Sequence, residues 1–246
     1  MRYLIVSDIH ANLEALQAVI AEADQFGYDS LLCLGDVVGY GPNPNEVIAW
    51  VSAHADVVVR GNHDKACCGT ASFATFNPAA QRSSQWTREQ LMGHHAQWLL
   101  ELPRGPVQVE SFALVHGATD DEDRYVFHEH EAALSLRNAV EQVTFFGHTH
   151  VQGGFIVEPG QRGFDVSRLH RLPSELVVRW NSHYLLNPGA VGQPRDGDAR
   201  AAYCIYDSSA CVAYFHRVAY DIRTTQDKIL AAGLPAELAY RLATGN

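Results

Sequence analysis

No stretch of this 246-residue chain approaches the ~18–20 consecutive apolar residues that a membrane-spanning helix needs, so a bilayer span is not expected. The start, Met1-Arg2-Tyr3-Leu4-Ile5-Val6-Ser7-Asp8, has too short an apolar stretch for a secretory leader. Basic charge is also scarce. Against 28 Asp and Glu there are 18 Lys and Arg, a formal net charge of −10, which argues against non-specific binding to DNA, RNA or an anionic membrane. Cysteines are few and odd in number: five, without paired spacing, with Cys33 inside an apolar run and Cys67-Cys68 adjacent. A disulfide framework is therefore not expected, and a reducing cytoplasm is the expected location. Repeats, low-complexity segments and Pro/Gly/Ser linkers are missing, so residues 1–246 read as one domain.

Present instead are five short apolar runs, each stopping at a residue able to bind a metal. Tyr3 to Ser7 ends at Asp8, with His10 two residues on. Leu31 to Leu34 ends at Gly35-Asp36. Val57 to Arg60 ends at Gly61-Asn62-His63-Asp64. Phe112 to Val115 ends at His116, and Val143 to Phe146 ends at Gly147-His148-Thr149-His150. Continuous apolar runs of this length read as buried strands. Ligands bind at the carboxyl ends of strands in α/β sheets. The pattern thus gathers carboxylates and imidazoles at one rim, a costly arrangement without a cation among them.

Between the runs lie helical patterns. Asn12 is a candidate N-cap for a helix through Phe26, Gly27 its stop, and Leu13, Leu16, Ile20 and Ala23 its apolar face. Asn43-Pro44 and Asn77-Pro78 open two further helices, the latter running through Trp86 to Leu91. Gly93 precedes a piece holding Trp98, Leu99 and Leu100, and Glu129 to Val140 reads as helix. In the second half, Phe155–Val157, Leu176–Trp180, Tyr184–Leu186, Ala201–Tyr206 and Val212–Phe215 read as strands joined by short connections, with closing helices from Tyr220. A parallel sheet followed by an antiparallel one, packed together with helices outside, is the expected α/β arrangement.

Carboxylate plus imidazole ligation selects divalent transition metals. Asp8 and His10, at i and i+2, point the same way if the strand is still extended there. Asp36 is the only carboxylate at its strand end and so the natural bridge between two metals. The expected sets are Asp8, His10, Asp36 and His150 for one metal, and Asp36, Asn62, His116 and His148 for the other. Such a pair activates a water lying between the cations and neutralises charge on a phosphoryl group during in-line displacement. His63, not needed in either set, is the candidate acid for the leaving oxygen, with Asp64 expected to hold its other ring nitrogen. Mn, Fe, Zn and Ni all tolerate these ligands.

Ser7-Asp8-Ile9-His10, Gly35-Asp36, Gly61-Asn62-His63-Asp64, His116-Gly117 and Gly147-His148-Thr149-His150 together resemble, in order, the signature of the calcineurin-like metallophosphoesterases. Asn77-Pro78 and the stretch Asn187 to Arg195 resemble a bacterial phosphodiesterase-like branch. The resemblance implies a four-layer α/β/β/α sandwich with two packed mixed sheets, two divalent metals on the ligands named above, and hydrolysis of a small phosphate ester. It places phosphodiesters, including nucleotide-derived ones, ahead of monoesters. The alternatives are a Ser/Thr-type protein phosphatase, a dinucleoside polyphosphate hydrolase, and a non-catalytic scaffold on the same fold. Family members acting on phosphoproteins carry an Arg soon after the second Asp and another near the Gly-Asn-His motif. Here Val37 to Gly41 and Lys65-Ala66-Cys67 stand there, which lowers the protein phosphatase alternative.

Asn12, Tyr40 and Arg195 are candidate substrate contacts, with a helix cap the favoured role for Asn12. His128 and His130 are expected to be solvated, His94-His95 to mark a helix junction, and Asp120-Asp121-Glu122-Asp123 to be a solvated loop. Nothing in the sequence fixes an oligomeric state.

Overall fold

A computed structural model describes residues 1–158, 165–169 and 173–246. In chain order its strands are β1 (Arg2–Val6), β2 (Ser30–Cys33), β3 (Val57–Val58), β4 (Val107–Val109), β5 (Phe112–Leu114), β6 (Val143–Phe145), β7 (Gly153–Val157), β8 (Val166–Arg168), β9 (Glu175–Val177), β10 (His183–Asn187), β11 (Ala201–Asp207) and β12 (Val212–Val218). Its helices are α1 (Leu13–Phe26), α2 (Pro44–His54), α3 (Asn62–Cys68), α4 (Pro78–Gln90), α5 (Gly93–Glu101), α6 (Glu129–Arg137), α7 (Ile222–Ala231) and α8 (Ala236–Tyr240).

The strands form two six-stranded mixed sheets, β3-β2-β1-β11-β12-β9 and β4-β5-β6-β10-β7-β8. In the first, β1, β2 and β3 run parallel and β11 is antiparallel to β1. In the second, β5, β6 and β10 run parallel and β4 and β7 pair antiparallel at their flanks. The expected separation into a parallel and then an antiparallel sheet is corrected. The late strands are shared out, β11 joining β1 and β10 joining β6. The cause is that β1 and β6 are central strands, each needing a partner on both edges to satisfy its backbone groups.

Alternation along β1 shows why its sequence is apolar throughout. Leu4 and Val6 pack towards α1 and α2 with Leu16, Val19, Val47 and Ile48. Tyr3 and Ile5 face the other way, into a core between the sheets with Leu32, Phe112, Phe145, Tyr184 and Tyr206. The rings there pack edge to face, with Tyr3 4.9 Å from Phe112 and Phe112 5.2 Å from Tyr206 between centroids. The outer face of the second sheet, through Phe146, Phe155 and Leu185, is covered by Ala132 and Leu136 of α6. Helix, sheet, sheet and helix make four layers, as the resemblance implies.

Asn12 caps α1 by accepting from Ala15 N at 3.1 Å, and Gly27 ends it at φ 73°. The buried face is Ala15, Leu16, Val19 and Ala23, so the stripe is rotated from the expected one, and Leu13 and Ile20 lie half-buried at its margin. Small Ala15 and Ala23 let the helix approach the sheet closely. Helix α3 was not expected, nor were β4 and β8. α6 stops at Arg137 rather than Val140, and β9 stops at Val177, leaving Trp180 exposed. No described helix is long and apolar enough to cross a membrane.

Candidate metal centre

All five apolar runs deliver their polar residues to one place, but not on extended backbone. Asp8, His10, Asp36, His148 and His150 have φ of 52°, 49°, 53°, 65° and 59°. Non-glycine residues reach this left-handed region only at a cost of about 1–3 kcal/mol each, and they cluster where function demands it. The expectation that Asp8 and His10 align through an extended strand is corrected: β1 ends at Val6, and the pair sits in a left-handed turn. Main-chain bonds hold that turn, Asp8 N to Gly35 O at 3.0 Å and His10 N to Asp36 O at 2.9 Å. Gly61 and Gly147 let the loops close together. A Cβ on Gly61 would stand 2.1 Å from Asp36 Oδ1, and one on Gly147 2.0 Å from Ser7 Oγ.

The four ligand imidazoles are each oriented by a backbone carbonyl, which only accepts. Nδ1 of His10 donates to Val38 O at 2.9 Å, Nδ1 of His150 to Gln193 O at 2.6 Å, and Nδ1 of His116 to Leu34 O at 2.8 Å. His148 is reversed, donating from Nε2 to Asp123 O at 3.1 Å. In a neutral ring held this way the other nitrogen presents a lone pair to a metal. These nitrogens meet in two couples, His10 Nε2 with His150 Nε2 at 3.1 Å, and His116 Nε2 with His148 Nδ1 at 3.1 Å.

Carboxylate oxygens face both couples. Asp8 Oδ1 lies 3.4 Å from His150 Nε2 and has no hydrogen-bond partner, although Asp8 is fully buried. Asp36 Oδ2 lies 3.6 Å from His10 Nε2 and 3.4 Å from His116 Nε2. Its other oxygen accepts from His63 N at 2.8 Å. Asn62 Oδ1 is 3.2 Å from His116 Nε2. The groups Asp8, His10, Asp36, His150 and Asp36, His116, His148 thus each converge, with Asp36 in both. Atoms held about 2.0–2.2 Å from a shared transition metal stand roughly 3–3.5 Å apart, so the donor set fits two such ions. The seven expected ligands are all brought together.

The electrostatics point the same way. Burial pushes His10, His148 and His150 well below the usual imidazole range, leaving them neutral as ligands must be. Burial also lifts Asp8 to about 6, with the Asp36 charge adding to it. At His116 burial opposes the charged form, but Asp36 and Asp8 prevail and push it up to about 10. The pocket draws a positive charge to the position between His116 and Asp36.

His63, in the first turn of α3, is buried at 4.4 Å from the Tyr40 ring and 5.0 Å from the His10 ring. Burial pushes it down to about 4, against the pull of Asp36. Its Nδ1 faces Ser84 Oγ at 3.2 Å. The expected contact with Asp64 is corrected. The Asp64 carboxylate accepts instead from the backbone amides of Asp36, Val38 and Gly61 at 2.8, 3.2 and 2.9 Å. At the third position of α3 it faces the free amides of the helix start and of the loop after β2.

Asn12 is corrected as a substrate contact. It is buried, and besides capping α1 it donates to Gly192 O at 2.9 Å and accepts from Thr225 Oγ1 at 3.2 Å. Tyr40 lines a cleft of about 590 Å³ that opens over Asn62, His63 and His148. Arg195 donates its backbone N–H to His150 O at 3.1 Å, and its guanidinium lies 5.5 Å from the Tyr40 ring centroid with a buried, unpartnered Nε. The acidic run is only partly solvated, since Glu122 is buried against Arg60 and Lys65. His128 and His130 are exposed, and His95 at the start of α5 bonds Asn45 Oδ1 at 2.8 Å. Sequence reasoning missed Ser84 and Tyr125, which belong to no motif. Tyr125 lies flat on His148, centroids 3.7 Å apart and planes at 18°.

Residues 1–210 match the calcineurin-like phosphoesterase superfamily domain. The crystal structure of a metallophosphoesterase from Sphaerobacter thermophilus is 40% identical, covers 100% of both chains, and superposes with a TM-score of 0.88. An uncharacterized protein of Methanocaldococcus jannaschii is 31% identical over 250 residues, 98% of this chain and 97% of its own. The crystal structure of a hypothetical protein from Pyrococcus horikoshii OT3 shares the fold at 19% identity, with a TM-score of 0.78 over 100% of this chain and 98% of that one. Two converging donor groups that share one carboxylate, on a four-layer sandwich matched along its whole length, make this chain a member of the calcineurin-like phosphoesterase superfamily, a metal-dependent phosphoester hydrolase.

Proposed function

We propose that the chain hydrolyses small phosphodiesters, nucleotide-derived ones among them, with two divalent transition metals drawn from Mn, Fe, Zn and Ni. The observation that carries this reading is the two facing couples of imidazole nitrogens joined by Asp36 Oδ2. Asp8, His10, Asp36 and His150 would hold one ion, and Asp36, Asn62, His116 and His148 the other. When bound, such ions activate water and offset charge on the phosphoryl oxygens.

The chain's own residues do the rest. The carbonyls of Val38, Leu34, Asp123 and Gln193 fix ring orientation before any ligand arrives. His63 supplies the proton to the departing oxygen. Its lowered pKa keeps it neutral at rest, and the negative charge of an arriving phosphoryl group raises it towards the working range. In the protonated ring Nδ1–H donates to Ser84 Oγ, leaving Nε2–H to give. Arg195, with its unpartnered Nε, offers charge to a non-bridging oxygen. The Lys65-Ala66-Cys67 sequence after Asp64, where protein phosphatases carry arginine, favours a small diester over a phosphoprotein. A cytoplasmic location belongs to this reading, supported by five unpaired cysteines.

The test is metal-stripped protein reloaded with one metal at a time and offered a bis-aryl phosphodiester, an aryl monoester and a phosphopeptide. Metal-dependent turnover led by the diester is expected. Cleavage of the phosphopeptide but not the diester would overturn the choice, and turnover unaffected by stripping would overturn the metal mechanism.

A further inference from the structure

The cleft beside the second donor group has three phenyl or phenol rings on its lining, Tyr40, Phe76 and Tyr125. Phe76 lies 4.6 Å from the His63 ring and Tyr125 lies 3.7 Å from the His148 ring, each covering a histidine of the site. Flat ring faces therefore lie next to the reacting position, beside uncharged polar side chains such as Ser72, Thr75 and Asn77. At about 590 Å³ the cleft is the size of a small-molecule site.

Its charge is arranged less obviously. Lys65 is the one Lys or Arg among the described residues lining it. That ammonium is already taken. Its Nζ lies 2.9 Å from Glu122 Oε1 and 2.6 and 2.7 Å from the two oxygens of Asp123. Arg60 completes the cluster with bonds to Glu122 at 3.1 and 2.8 Å. Two cations against two carboxylates leave no free positive charge in the cluster. Asp123, with its side chain 52% exposed, turns a negative group to the opening.

Resting on the diester reading, we propose that this cleft receives the alcohol portion of the substrate, and that Asp123 and Glu122, by neutralising Lys65, select an uncharged ring-bearing group there over one carrying a second phosphate. A second phosphate would have to take Lys65 from its carboxylates or lie unpaired beside Asp123, and either is unfavourable. A neutral planar group displaces water from Phe76 and Tyr125 and meets no such opposition. The acidic run is in this view a filter against polyanions, built into the strap that also delivers the Asp123 carbonyl to His148.

The experiment compares kcat/KM, within each variant, for an aryl ester of a nucleoside 5′-monophosphate and for the same ester carrying a 3′-phosphate. Wild-type protein should prefer the first by about tenfold or more, and Asp123→Asn, which keeps the shape and the backbone carbonyl, should compress that preference to about threefold or less. Lys65→Met should move the ratio the other way, because it leaves Asp123 uncompensated while Glu122 keeps Arg60. Opposite shifts from these two variants separate a charge filter from a general loosening of the strap. If wild type accepts both esters equally, or if Asp123→Asn leaves the ratio unmoved while diesters are still cleaved, the filter is wrong although the diester reading stands. If no diester is cleaved by metal-loaded protein, both fall.

Discussion

His63 Nδ1 and Ser84 Oγ lie 3.2 Å apart, a contact between α3 and α4 that backs the acid histidine with a buried hydroxyl from another helix. His63→Ala should leave two metals bound, because the ring belongs to neither donor group. It should slow diesters with alkyl leaving groups by about 10²–10⁴, and activated aryl diesters far less, because a good leaving group needs little protonation. Ser84→Ala should show the same pattern at roughly a tenth to a hundredth of the effect, since it loosens the ring without removing it. Equal losses on both kinds of substrate, or loss of metal in His63→Ala, would contradict the acid role.

The sharing of Asp36 sets a second expectation. Its Oδ2 faces both imidazole couples while Oδ1 is held by His63 N. Asp36→Asn keeps the shape but removes the negative charge common to both positions. Metal content, measured by elemental analysis after dialysis, should fall from about two per chain to below one. Asp8→Asn, whose carboxylate serves one group only, should cost one ion. Two ions retained at full occupancy in Asp36→Asn would rule out sharing.

Proton release gives an independent view of the same site. In the metal-free protein His116 titrates at about 10, burial being outweighed by Asp36 and Asp8, so at pH 7.5 it carries a proton that a ligating imidazole cannot keep. His10, His148 and His150, pushed down by burial, have none to lose. Asp8, lifted to about 6, is ionised at pH 7.5 and protonated at pH 5. Loading metal should therefore release about one proton per chain at pH 7.5 and about two at pH 5. Titration calorimetry in buffers of differing ionisation enthalpy measures this directly. An observed enthalpy independent of buffer at pH 7.5 would contradict the charge state assigned to His116.

What could be read in the sequence follows from chemistry that is local. Strands buried on both faces must be apolar at consecutive positions, so Leu4 and Ile5, which point to opposite cores, both mark β1. The residues just past such runs are exposed to one rim, and that alone brought Asp8, Asp36, His116 and His148 together. The helix α1 announces itself through Asn12 and Gly27 because capping is a local hydrogen-bonding matter. Partners supplied by main chain or by distant helices leave no such mark. Any residue at position 123 would offer His148 a carbonyl, and Ser84 looks like other helix serines until α4 is packed on α3. Nor does β10 say in its own sequence that it lies beside β6 rather than β1, since both neighbours would suit its alternation. The left-handed turns at Asp8 and His10 were hidden because neither residue type requires them.

Asp64 is where motif position misleads most, and it yields the last prediction. Following His63 directly, it suggested a ring partner, yet its two oxygens receive the amides of Asp36, Val38 and Gly61. It ties the loop that carries Asp36 to the helix that carries Asn62 and His63. Asp64→Ala strands three buried amides and should cost about 3 kcal/mol or more, a loss visible as a lower urea midpoint in metal-free protein. Asp64→Asn keeps one acceptor oxygen and should cost less, about 1–2 kcal/mol. The kinetic signature separates a frame from a ring partner. If Asp64 held His63, Asp64→Asn would reproduce the leaving-group dependence of His63→Ala. As a frame for the loops it should lower turnover of alkyl and aryl diesters by the same factor, together with weaker metal retention. A leaving-group-selective loss with both metals in place would return Asp64 to the role its neighbour suggests.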